Sequence, residues 1–246
     1  MRASGITDIG KVREANQDQF ATLEFETGAG LAVVCDGMGG PGGGQIASSI
    51  AVRTIYDELK RVYRPETPLA EVREQIRHAV HLANAAIFDE GLANRKLMGM
   101  GTTVVLALYR GQQVLIGNIG DSRAYLIRDG QTIQISKDHS IVQQMLDSGS
   151  ISRREARNHP QKNIITRALG VESNCDLDIF EVELSEFDSI LLCTDGLSNL
   201  LDDRELGFEI SVGDRQKTIL KKLVSMANSR GGTDNITAVL LSNTKI

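Results

Sequence analysis

Four aspartates stand where apolar runs begin or end, each beside glycine or another small residue: VVCDGMGG (Asp36), ILLCTDG (Asp195), IGNIGDSR (Asp121) and GGTDNITAVLL (Asp234). A fifth segment near the N-terminus, TDIGKVREANQDQF, adds Asp8, Arg13 and Asp18. One Asp-Gly pair alone is an ordinary turn, and Asp129-Gly130 reads that way. Four strand-end carboxylates together raise a different chemistry. Brought to one place by sheet packing, they repel one another and call for a cation between them. Hard oxygen donors without a His or Cys cluster favour Mg²⁺ or Mn²⁺ over zinc. The six glycines between Gly37 and Gly44 read as backbone freedom that lets a carbonyl approach such an ion.

Rival chemistries leave weaker marks. GMGGPGGG lacks the GK[ST] ending of a phosphate-binding P-loop, and no GxSxG nucleophile elbow occurs. Of the four histidines, His78 and His81 read as helix-surface residues. His139, in KDHS, is a functional candidate set against an ordinary polar loop residue.

The elements that must carry these acids follow from periodicity. Apolar residues recur at helical spacing over Gln45–Tyr63 (Ile46, Ile50, Ile55, Leu59, Val62), Leu69–Phe88 and Arg215–Ser229. Strands are expected at Thr102–Tyr109 and Gln113–Ile119, turning at Arg110-Gly111. A second hairpin is expected to turn at Asp129-Gly130, with later strands at Ile179–Leu184, Ser189–Thr194 and Asn235–Leu241. An irregular helical insert is expected over Ser140–Asn158. Strands and helices do not alternate in βαβ fashion, so antiparallel sheets with helices on their outer faces are expected, in one domain.

Composition bounds the function. The 246 residues carry a net charge of −5 with 41% hydrophobic and 24% charged residues, an ordinary globular balance that argues against a nucleic-acid partner. Three scattered cysteines without a CxxC suggest neither a disulfide framework nor zinc, and a reducing cytoplasm is the expected setting. No signal-like segment or run of eighteen apolar residues occurs, so no membrane association is expected.

Taken in order, TDIGKVREANQDQF, VVCDGMGG, GMGTT, GNIGDSRAY, KDHS, TDGLSN and GTDNIT resemble the metal-dependent serine/threonine protein phosphatases of the PPM, or type 2C, family, in their compact bacterial branch. The resemblance spans the chain. It implies an α+β fold, a β-sandwich of two antiparallel sheets flanked by pairs of helices, with a flap insert at about 140–169. It also implies a dinuclear Mn²⁺ or Mg²⁺ centre bridged by Asp36, with the Gly37 carbonyl on one metal and Asp195 and Asp234 completing the other. Asp121 with Asp195 is implied to hold a third, weaker metal, Asp18 to orient metal-bound water, and Arg13 to grip the substrate phosphate. The implied reaction is in-line attack of metal-activated hydroxide on a phosphoserine or phosphothreonine monoester. The implied partners are phosphorylated proteins, a cognate Ser/Thr kinase and its substrates, met by a monomer. A pseudophosphatase or a phosphatase of small metabolites are the alternatives. Gln17, Met38, Pro41 and Gln45 depart from residues common in the family, and with Met38 and Pro41 in place of histidines the leaving-group acid is unassigned.

Overall fold

Apolar runs of five to nine residues, bounded by turn formers, become strands buried on both faces in this protein. The computed structural model describes residues 1–25, 28–40, 42–157, 159–213 and 215–242. Its elements are β1 (Arg2–Asp8), β2 (Asp18–Glu24), β3 (Gly30–Met38), α1 (Gly43–Val62), α2 (Leu69–Ala93), β4 (Gly101–Thr102), β5 (Val104–Arg110) and β6 (Gln113–Ile119). There follow β7 (Arg123–Arg128), β8 (Gln131–Gln134), α3 (Ile141–Asp147), α4 (Arg153–Arg157), β9 (Asp178–Glu183), β10 (Ser189–Cys193), α5 (Asp195–Ser198), α6 (Asp203–Val212), α7 (Gln216–Ser229) and β11 (Ile236–Ser242).

The strands form two sheets, ordered β1-β11-β10-β7-β8 and β2-β3-β5-β6-β9, with β4 paired to the end of β3. All named pairings are antiparallel. Alternation along each strand divides its side chains between two cores. In β3, Ala32 and Val34 face the other sheet, where, with Val105 of the neighbouring β5, they join Leu192 and Val239 in one cluster. Leu31, Val33 and Cys35 point the opposite way, onto Ile55, Leu59, Ile76 and Ile87 of α1 and α2. A third cluster seals the far side, with Leu206, Ile210, Ile219 and Leu223 of α6 and α7 over Leu191 and Ala238. The result is the helix–sheet–sheet–helix sandwich that the sequence pattern and the resemblance both imply.

Several boundaries differ from expectation, each for a packing reason. Helix α1 starts at Gly43, two residues early, because its first turn lies directly on β3. A Cβ on Gly37 would stand 2.0 Å from the Gly44 carbonyl oxygen and 2.7 Å from that of Gln17. Glycine is therefore required at Gly37 and Gly44 for backbone to touch backbone. For the same reason the buried face of α1 begins with Gly44, Ala47 and Ala51, while Ile46 is 37% exposed. Helix α2 runs past Phe88 to Ala93.

The strand expected from Thr102 breaks at Thr103, whose hydroxyl serves Asp36. The first hairpin turns at Gly111-Gln112, since Arg110 pairs with Gln113. The second turns at Asp129-Gly130 as expected, with φ of 51° and 74°. Helix α6 is not among the expected elements, although Asp202 and Glu205 form its capping box. The insert holds the short helices α3 and α4, and its expected end, Asn158, lies outside the described residues, as does Pro41. Cys35, Cys175 and Cys193 are free thiols in the structure.

Candidate metal centre

All five acids sit at one end of the sandwich, each held by a different element. Asp36 lies two residues inside the end of β3, because β4 extends the pairing through Met38. Its N–H donates to the Thr103 hydroxyl at 3.0 Å, and its carbonyl accepts from the Thr102 hydroxyl at 2.8 Å and the Thr103 N–H at 2.9 Å. GMGTT thus fixes the backbone of Asp36. The Thr103 hydroxyl also shares a 2.7 Å hydrogen bond with that of Ser122, tying Asp36 to the turn that carries Asp121.

Asp18 is the β2 residue opposite Asp36 in register and is 2% exposed. Its Oδ2 accepts from the Thr194 hydroxyl at 2.9 Å, which spans from one sheet to the other. Its Oδ1 is buried without a partner in the protein. Asp195 opens α5 immediately after Thr194, and its Oδ2 accepts from the Asn199 amide at 3.0 Å. The glycine after it is sterically required, since a Cβ on Gly196 would lie 1.9 Å from the Asn235 carbonyl oxygen.

Asp234 precedes β11. Its Oδ2 accepts from Arg13 Nη2 at 2.7 Å, and Arg13 is itself 54% exposed at the rim. Asn235 organises the loop that presents Arg13. Its Oδ1 accepts the Gln17 N–H at 2.8 Å, and its Nδ2 donates to the carbonyls of Ile9 at 2.9 Å and Ala15 at 3.0 Å.

Asp121 sits in the turn between β6 and β7. Arg123 gives its hydrogen bonds to Asp138 (Nη2 to Oδ2, 2.7 Å) and to the Tyr125 hydroxyl, while its charge still eases the Asp121 carboxyl. His139 clamps the same turn. Its ring Nδ1 accepts the Gly120 N–H at 3.2 Å, and its own N–H donates to the Gly120 carbonyl at 2.8 Å. That bond assigns the ring proton to Nε2, which faces Asp178 Oδ2 at 3.1 Å. His139 is therefore a structural support with both nitrogens engaged.

The electrostatics show convergence. Burial pushes the Asp36 carboxyl well up, and Asp18, Asp195, Asp121 and Asp234 each push it further. Asp18 rises to about 7 through burial and the charges of Asp195 and Asp234, against relief from the Thr237 and Thr194 hydroxyls. Asp121 also rises to about 7, through burial, Asp195 and Asp138. Asp195 is raised by burial and Asp234, and eased by Arg123, Arg13 and Lys162 of the insert. Arg13 is raised by its bond to Asp234 and by the charges of Asp234, Asp36 and Asp195.

Among the described residues, no three His, Cys, Asp or Glu side chains close on a single point tightly enough to clasp an ion as they stand. The donor set nevertheless fits a hard divalent cation. It is all oxygen, crowded with like charge, and includes an orphaned buried oxygen on Asp18. The acids and Arg13 were legible in the sequence. Thr103, Ser122, Thr194, Asn235 and His139 were missed as supports, although all five lie inside the recognised motifs.

Comparison with known proteins bears on this arrangement. Residues 11–240 match the family model for protein phosphatase 2C. The chain is 38% identical over 244 residues to serine/threonine phosphatase stp of Listeria monocytogenes, covering 98% of this chain and 95% of the relative. Its fold is similar to that of Stp1 from Staphylococcus aureus, with a TM-score of 0.92, 32% identity, and 98% and 94% of the two chains covered. It is also similar to the catalytic domain of the phosphatase PstP in complex with two manganese ions, with a TM-score of 0.83, 31% identity, and 97% and 96% covered.

Proposed function

Since the chain belongs to the protein phosphatase 2C family and is a metal-dependent serine/threonine protein phosphatase, we propose that Asp36, Asp195, Asp234, Asp121, Asp18 and Arg13 are its catalytic machinery. The observation that carries this reading is the rise of the Asp36 carboxyl under four other acids drawn from separate segments. Asp36, the Gly37 carbonyl, Asp195 and Asp234 would hold a pair of ions, Mn²⁺ or Mg²⁺, and Asp121 with Asp195 a weaker third. Bound there, the ions supply Lewis-acid charge neutralisation for the phosphoryl oxygens and an acidified water nucleophile.

The remaining work belongs to the protein. Asp36 is held by the Thr102 and Thr103 hydroxyls and backbone, which fixes its carboxylate before substrate arrives. Asp18, with one oxygen committed to Thr194 and the other unpartnered, orients the attacking water. Arg13 spends one N–H on Asp234 and keeps others for the phosphate dianion, for which a planar guanidinium suits better than an ammonium. His139 is committed on both ring nitrogens and is not the acid that protonates the leaving seryl or threonyl oxygen.

The substrates are phosphoproteins. A cognate Ser/Thr kinase and its targets, a monomeric enzyme and a cytoplasmic setting complete the reading. Among the described residues no helix is long and apolar enough to cross a membrane. The 246 residues are read as one phosphatase domain, with residues 140–169 as the flap beside the centre. The test is phosphate release from a phosphothreonine peptide. It should require Mn²⁺ or Mg²⁺, stop with EDTA and resume when metal is restored. Release that persists in EDTA would remove the metal centre from the account.

A further inference from the structure

A protein phosphatase must lay a polypeptide across the mouth of its site, so the surface next to Asp36 meets the residues flanking the phosphorylated one. On one side of Asp36 that surface carries apolar groups. Strand β3 continues past Asp36 because Gly37 and Met38 pair with Thr102 and Gly101 of β4. Strand alternation puts Met38 on the same side as Asp36, about 7 Å along the chain.

Gly101, opposite Met38, has no room for a side chain. A Cβ there would lie 2.9 Å from Met38 Cε, 2.9 Å from Val171 Cγ2 and 2.8 Å from the Leu169 carbonyl oxygen. The thioether tip and the valine methyl thus meet over a bare glycine. Val171 stays 46% exposed, directly after the flap segment. The floor is fixed, since Thr102 and Leu169 exchange two backbone hydrogen bonds of 3.1 and 2.9 Å. Beside five carboxylates, neither Met38 nor Val171 solvates charge or holds an ion, but a polarizable methionine and a valine can receive an alkyl or aromatic group.

We infer that Met38 and Val171, folded over Gly101, form a subsite for an apolar side chain one or two residues from the phosphorylated serine or threonine of the substrate. The inference rests on the reading of Asp36 as the reaction centre. An extended peptide advances about 3.3 Å per residue, so a neighbouring side chain reaches the seat while the phosphate remains over Asp36.

The experiment first measures wild-type hydrolysis of p-nitrophenyl phosphate with Mn²⁺. That substrate has no flanking residue, so its failure would indict the metal centre and not the seat. Matched phosphothreonine peptides then carry Leu or Ser at the positions one and two residues to either side. One Leu peptide should exceed its Ser counterpart by about fivefold in kcat/KM, mainly through KM. Val171→Ser should bring that Leu-to-Ser ratio to within about twofold, while Met38→Leu, which keeps an apolar tip, preserves it. Equal kcat/KM for all wild-type peptides would overturn the inference. So would a ratio that survives Val171→Ser, or a variant in which the Leu and Ser peptides lose rate equally.

Discussion

Removing divalent metal should leave a protein whose stability falls as pH rises, against the usual behaviour of paired carboxylates. Asp18 and Asp121 each hold their proton to about 7 in the fold, against an ordinary 3.8, because burial and neighbouring acids disfavour the charge. Between those values the native state binds more protons than the unfolded chain, so stability drops with rising pH and levels off above about 7. Each acid taken alone costs the fully ionised fold about 4 kcal/mol, more than half of which falls between pH 5 and pH 8. The two share Asp195 as a neighbour, so together they cost less than the simple sum. For a chain of this length 1 kcal/mol moves Tm by about 2–4 °C, which gives a decrease of about 5–10 °C from one acid alone. The assay is thermal unfolding in EDTA at pH 5, 6, 7 and 8, repeated with Mn²⁺. Metal should raise Tm most at pH 8, where it replaces protons already lost, and Asp18→Asn should flatten the EDTA slope. A Tm in EDTA that is flat or rising from pH 5 to pH 8 would refute the claim that these acids are crowded and uncompensated.

Other consequences follow from the supports and the rim. Asn235→Ala removes three hydrogen bonds that hold the loop at residues 9–17, and should cost about 2–4 kcal/mol in denaturant unfolding. It should also open that loop to proteolysis before global unfolding, whereas wild-type cleavage kinetics would show the loop is held by something else. Arg13→Lys should raise KM for a phosphopeptide more than it lowers kcat, and an unchanged KM with a collapsed kcat would shift its contribution to the transition state. Asp121→Ala should lose one weak Mn²⁺ site in calorimetric titration while keeping two tighter ones, and an unchanged number of ions would return Asp121 to a turn role.

The acids were legible because each stands at the edge of an apolar run, where alternation and a following glycine mark the end of a buried strand. The supports were not, because a threonine or asparagine near a strand end looks the same whether it caps a turn or holds another segment. Thr194 reaches Asp18 across 176 residues of sequence, and Asn235 reaches Ala15 across 220. Such partners exist only once the sheets are stacked. The glycine cluster meets two needs, and at Gly39 and Gly42 it is backbone freedom, with φ of 135° and 81°. Gly37 and Gly44 are needed for lack of a Cβ where α1 lies on β3, a contact between two elements that periodicity treats separately. Helix α1 starts before the expected Gln45 for the same reason, and Ile46, although part of its apolar periodicity, is exposed. The layer order was recoverable because continuous apolar strands and amphipathic helices leave few ways to bury both.

The central claim is that Asp36 gathers the catalytic metals of a phosphoprotein phosphatase, and Asp36→Asn tests it with least change of shape. The measurement is phosphate release from a phosphothreonine peptide at saturating Mn²⁺, by wild type and by a variant shown to be folded by circular dichroism. The account predicts a loss of about a thousandfold or more in kcat for the variant, together with a higher Tm than wild type in EDTA at pH 8, because one of the mutually repelling acids is gone. A folded Asp36→Asn protein that turned over within about tenfold of wild type would contradict it.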